Sequence, residues 1–156
     1  VKYAMDRGLD ISFIEEMPLG VIDEHSRSLQ FCSSDEVRSK VEQQHSLLPV
    51  TEKTGGPSRY WQVAGSQSRV GFISPHSNNF CGDCNRVRLT AEGRLLLCLG
   101  HEHSVDLRAL LRSSSCSNET LVDELQKAML IKPERHEFDV NAAQPQLLRY
   151  MNVTGG

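Results

Sequence analysis

Residues 80–100 read Phe-Cys-Gly-Asp-Cys-Asn-Arg-Val-Arg-Leu-Thr-Ala-Glu-Gly-Arg-Leu-Leu-Leu-Cys-Leu-Gly and hold three of the five cysteines of a 156-residue chain. Cys81 and Cys84 form a C-x2-C knuckle, whose spacing lets both sulfurs turn toward one ion, and Gly82 between them tolerates an unusual φ. The alternation that follows predicts two short strands, residues 85–90 and 94–99, joined by Ala91-Glu92-Gly93 with Gly93 in a left-handed turn position. Such a hairpin carries Cys98 back toward the knuckle. The stretch therefore reads as a β-hairpin built around a metal site.

Three thiolates leave more than one chemistry open. A structural zinc ion takes four protein ligands, and His101 follows Cys98 in C-x2-H spacing, which would complete a Cys3His site. An iron-sulfur cluster held by three cysteines would instead keep one iron open to a ligand that is not protein. Unligated thiols packed as small apolar groups are the third reading. Arg86, Val87, Arg88, Leu89 and Thr90 alternate, so one strand face carries two guanidinium groups and the other is apolar. By itself that is a solvated strand face. Beside an open metal position, paired guanidinium forks suit a phosphate or carboxylate.

The run Cys-Gly-Asp-Cys-Asn-Arg-Val-Arg-Leu-Thr, the thirteen residues between Cys84 and Cys98, the following Cys-Leu-Gly, the upstream Phe13-Ile14-Glu15-Glu16-Met17-Pro18 and the terminal Gly155-Gly156 occur together. In these features the chain resembles the C-terminal part of the molybdenum cofactor biosynthesis protein A family, radical S-adenosylmethionine enzymes that cyclise GTP in the first step of pterin formation. The resemblance runs over essentially the whole chain, and it favours the cluster over zinc. It implies a [4Fe-4S] cluster held by Cys81, Cys84 and Cys98 with its open iron toward GTP. GTP contacts are implied at Arg86, Val87 and Arg88, and an S-adenosylmethionine contact at Met17. It also implies catalytic roles for Arg86, Arg88 and the Gly155-Gly156 tail, which enters the active site in the family.

One departure is large. The family's other cluster sits on a C-x3-C-x2-C motif, and the cysteines here fall only at Cys32, Cys81, Cys84, Cys98 and Cys116. The chain also opens on Val1, so it reads as part of a longer polypeptide, inactive alone, whose S-adenosylmethionine is bound mainly by an upstream half. The resemblance makes residues 1–20 the last helix and strand of an incomplete TIM-like barrel, and residues 21–156 a C-terminal domain for cluster and GTP. The fold class expected is α/β to α+β, with a small antiparallel sheet and flanking helices after the barrel's end.

Composition fits that picture. Hydrophobic residues make up 38% and charged residues 24%, and the longest apolar runs fall far short of a membrane span. Five cysteines without a signal peptide suggest reduced or metal-bound thiols in a cytoplasmic protein. A net charge of -3 argues against a polynucleotide partner, so the arginines suit a small anion. A homodimer is compatible with the sequence.

Along the chain, residues 1–7 predict a helix end stopped by Gly8, and residues 9–15 a strand with Glu15, Glu16 and Met17 at its carboxyl end. Met17 alone reads as core filler, and the adjacent carboxylates, pointing to opposite faces, form no acid/base dyad. Ser33-Ser34-Asp35-Glu36 predicts a capping box for a helix reaching about His45. Residues 60–63 and 69–73 predict two strands that join the cysteine hairpin in one antiparallel sheet, with Trp61 as a packing anchor. Ser104 is the expected cap of a helix ending at Arg112, His101 and His103 are expected at the surface, and Cys116 lies in a serine-rich loop. A helix over residues 119–131 is expected to bury Leu121, Val122, Leu125, Ala128 and Met129. Residues 133–146 show no usable periodicity, and residues 147–151 are expected to dock ahead of the tail.

Overall fold

The structure is a computed structural model that describes residues 1–20, 26–52, 54–139, 141, 142, 145, 147 and 154. The chain divides into two compact units: Val1–Met17 with Arg27–Phe80, and Pro18–Ser26 with Cys81–Gly156.

The first unit opens on α1 (Lys2–Met5), whose exit is turned by Gly8 at φ 64°, and continues into β1 (Ile11–Ile14). After α2 (Arg27–Gln30) comes α3 (Ser34–Glu42). The expected capping box is formed: the Ser33 hydroxyl accepts the Glu36 amide, and the Glu36 carboxylate accepts the Ser33 amide at 2.7 Å. β2 (Leu47–Pro49), β3 (Arg59–Val63) and β4 (Arg69–Ile73) complete a four-stranded sheet in the order β1-β4-β3-β2. β1 pairs with β4 in parallel, Ile11 opposite Val70 and Ile14 opposite Ile73, while the other pairings are antiparallel. Parallel neighbours need a long crossover, here the segment containing α3, β2 and β3. Asp10 fixes the register from just outside β1, accepting the Arg69 backbone amide at 2.8 Å and its guanidinium at 2.7 Å. Val63, Val70 and Phe72 form the core of this unit, with Phe13, Val37 and Trp61 packed around them. Trp61 meets Phe72 edge-on at 5.3 Å between ring centroids, the packing role expected of it.

The second unit contains a 3-10 turn, Cys81–Asp83, then β5 (Arg88–Leu89), β6 (Arg94–Leu96) and β7 (Ser104–Asp106), an antiparallel sheet in that order. The β5–β6 turn places Gly93 at φ 81°, as its sequence predicts. α4 (Leu107–Leu111) follows β7 directly, and α5 (Asn118–Leu130) is capped by the Ser117 hydroxyl. Leu95, Leu97, Leu107 and Ala128 make the core, with Val105, Leu121 and Leu125 against it.

Three expectations are corrected. The cysteine hairpin does not join β3 and β4; its partner is β7, and a parallel strand occupies the edge of β4 that the sequence left open. Ser104 begins that third strand, and the cap of α4 is Asp106, whose carboxylate accepts the Ala109 amide at 2.9 Å. On α5 the buried stripe is narrower than expected, because Val122 is 51% and Met129 43% exposed. Both lie one position past the Leu121, Leu125 and Ala128 seam, about 100° around the helix from it.

Candidate functional site

The knuckle is a single 3-10 turn in which the Cys84 amide donates to the Cys81 carbonyl at 3.0 Å. This bond closes the turn that two intervening residues allow, and both cysteines remain half-buried. Cys98 lies two residues beyond β6, and the Leu97 amide extends the sheet ladder by donating to His103 at 3.2 Å. Leu97 is fully buried at 0% exposure, so the residue before Cys98 is anchored in the core. The Cys98 sulfur accepts the Gly100 amide at 3.4 Å. No disulfide joins any of the five cysteines.

The donor set suits an iron-sulfur group. It offers thiols from a tight turn and an anchored strand end, within one compact unit, and one sulfur already accepts a backbone N–H as cluster sulfurs commonly do. Among the described residues no three His, Cys, Asp or Glu side chains are gathered as a group able to hold a metal ion. In the zinc reading His101 is the fourth ligand; its Nε2 is engaged with the Arg135 carbonyl at 2.8 Å, which leaves Nδ1 as the nitrogen able to bind a metal.

Arg88 stands opposite Leu96 in the β5–β6 register and is half-buried, while Arg86 is exposed between the knuckle and β5. The apolar face expected opposite the arginines is not covered, since Leu89 is 60% exposed. Met17 belongs to the first unit, three residues past β1, and is half-buried. Gly155 and Gly156 lie outside the described residues; Thr154 just before them is buried. Cys116 lies in the loop before α5.

Two arrangements have no counterpart in the sequence reading. The first is Glu15, only 3% exposed at the carboxyl end of β1. One carboxylate oxygen accepts the Ser34 amide at 2.9 Å and the Ser77 hydroxyl, and the other accepts the amides of His76 at 2.9 Å and Ser77 at 3.0 Å. Burial alone pushes this carboxyl up, and hydrogen bonds from Ser77, Ser34 and His76 outweigh it, so the group is held below its ordinary value of 4.5. Glu15 thus ties β1 to the first turn of α3 and to the segment after β4; it is an anchor with all its lone pairs engaged. The second is the segment after α5, where the Lys132 ammonium donates to the Leu97 carbonyl at 2.8 Å and the rings of His136 and Phe138 meet at a tilt of 34° with centroids 4.6 Å apart. A rise in polar residues was its only sequence signal.

Comparison with known proteins identifies the family. The family described as Molybdenum Cofactor Synthesis C matches residues 9–138. GTP 3',8-cyclase of Ectopseudomonas mendocina (strain ymp) is 60% identical over 156 residues, covering 100% of this chain and 47% of that protein. GTP 3',8-cyclase of Saccharophagus degradans is 58% identical, covering 99% of this chain and 46% of the relative, and that of Marinobacter nauticus is 56% identical, covering 100% and 47%. This chain spans about half the length of these curated relatives and matches their C-terminal part. With the family match running from β1 through the cysteine hairpin to the segment after α5, the chain belongs to the Molybdenum Cofactor Synthesis C family.

Proposed function

We propose that this chain is the substrate- and cluster-holding C-terminal part of a radical S-adenosylmethionine GTP 3',8-cyclase of molybdenum cofactor synthesis, inactive without the part its relatives carry upstream. The observation that carries the reading is the Cys98 sulfur, fixed by its buried neighbour Leu97 and bonded to the Gly100 amide in the same unit as the knuckle thiols. Cys81, Cys84 and Cys98 hold a [4Fe-4S] cluster in this proposal, and drawing the three thiolates together is part of loading, because metal binding and local folding are coupled. When bound, such a cluster supplies an open, Lewis-acidic iron for the substrate.

The residues of the chain do the positioning. Arg86 and Arg88 donate charge-assisted hydrogen bonds to GTP oxygens, with Val87 between them in contact with the nucleotide, which holds the polyanion in one orientation. Met17 contacts S-adenosylmethionine, bound mainly by the upstream part, and Gly155 and Gly156 bring backbone close to the substrate where a Cβ would collide. Residues 1–20 form the last helix and strand of an incomplete TIM-like barrel and residues 21–156 the cluster and GTP domain. β1 is the edge strand of its sheet and Ile14 at its end is exposed, which supports the barrel part of that assignment. A cytoplasmic homodimer completes the proposal; no helix among the described residues is long and apolar enough to cross a membrane.

Anaerobic reconstitution of the full-length protein followed by iron and acid-labile sulfide analysis tests the reading. Loss of one cluster's worth of iron and sulfide on replacing Cys81, Cys84 or Cys98 by alanine is expected. Full zinc occupancy at these cysteines without sulfide would overturn it.

A further inference from the structure

Cys98 is straddled by contacts from one later segment. Before it, the Leu97 carbonyl accepts the Lys132 ammonium at 2.8 Å; after it, the His101 ring nitrogen Nε2 meets the Arg135 carbonyl at 2.8 Å. Between those points, Gly100 lies against His136 and Phe138. A Cβ built on Gly100 would fall 2.7 Å from the His136 Cβ and 2.9 Å from the end of the Phe138 ring, below any tolerated separation. The two rings are fixed against each other, with centroids 4.6 Å apart and the Phe138 amide donating to His136 Nδ1 at 3.3 Å. Residues 132–138 therefore clamp residues 97–101 from both sides.

The consequence falls on one hydrogen bond. The Gly100 amide donates to the Cys98 sulfur at 3.4 Å, an i to i+2 bond that holds only while the turn after β6 keeps its shape. Glycine fits because the wall formed by His136 and Phe138 leaves no room for a side chain. We infer that residues 132–138 are a positioning clasp that aims the Gly100 N–H at the Cys98 sulfur and thereby sets the reduction potential of a cluster bound there. An N–H donor withdraws electron density from a ligating sulfur and stabilises the reduced cluster, so its presence raises the potential. His136 and Phe138 act through Gly100 in this role. The inference rests on the proposed cluster.

The test uses full-length enzyme, reconstituted anaerobically, with Gly100→Ala and Phe138→Ala as variants. Iron and sulfide content, the midpoint potential of the cluster on Cys98, and the exchangeable proton coupled to the reduced cluster in electron-nuclear double resonance are read together. The clasp predicts loaded variants whose potential shifts negative and whose exchangeable-proton coupling is weakened or lost. Should Phe138→Ala fail to load, Phe138→Leu, which keeps an apolar side chain against Gly100, is read in its place with a smaller shift of the same sign expected. Loaded variants with unchanged potential and coupling would overturn the clasp while leaving the cluster intact. A wild-type enzyme with no cluster on Cys98 would refute the cluster itself and the clasp with it.

Discussion

Replacing Glu15 removes the acceptor that joins three segments of the first unit. Glu15→Ala deprives the Ser34, His76 and Ser77 amides and the Ser77 hydroxyl of their partner at once. An unsatisfied buried donor costs about 1–3 kcal/mol. Only the bond to the Ser34 amide is fully buried, and Ser77 is exposed enough for water to take over, so the expected loss is about 3–5 kcal/mol. Glu15→Gln is the sharper probe, since it keeps shape and volume. Its carbonyl can serve the His76 and Ser77 amides, while its NH2 can donate to the Ser77 hydroxyl but faces the buried Ser34 amide donor to donor, which predicts a loss of about 1–3 kcal/mol. Trp61, the single tryptophan of the sequence, packs in the same unit, so its fluorescence during urea unfolding reports the relevant transition. The pH dependence has a definite sign. With a folded pKa held below 4.5, Glu15 contributes stability that is full above that value and lost as pH falls through the folded pKa, and Glu15→Gln abolishes that contribution. A Gln variant within about 0.5 kcal/mol of the wild type at neutral pH would refute the reasoning.

The remaining predictions concern the proposed substrate site. Arg86→Ala and Arg88→Ala should keep the cluster and each weaken GTP binding by about 1.5–3 kcal/mol, the worth of a charged hydrogen bond, as measured by calorimetry on the full-length enzyme. Unaltered GTP affinity would return both arginines to the solvated strand face. Deleting Gly155 and Gly156 should leave cluster content intact while sharply reducing turnover of GTP, and unchanged turnover would make them an ordinary chain end.

What was legible in the sequence is what depends on neighbouring residues. The Ser33–Glu36 capping box, the Gly8 and Gly93 turns, α5 and the C-x2-C turn are each specified within a few positions, and the structure contains all of them. β2 was hidden by Pro49, which reads as a breaker but is tolerated because β2 is the sheet's edge strand. β7 was hidden because Asp106 serves both as its last residue and as the cap of α4, so strand and helix share a boundary that resembles a simple helix start. The parallel pairing of β1 with β4 could not be read from either strand, since both are short apolar runs compatible with several partners. Glu15 shows the same limit at one side chain. Its donors lie 19 and 61–62 positions away, and an acidic residue at a strand end is indistinguishable in sequence from a solvated one until the fold closes over it. The clasp on Cys98 is harder still, because its parts are an irregular segment and a glycine whose small size matters only against rings 36 and 38 positions later. The thiols declare themselves by spacing, whereas the groups that would tune them are recruited by tertiary contact.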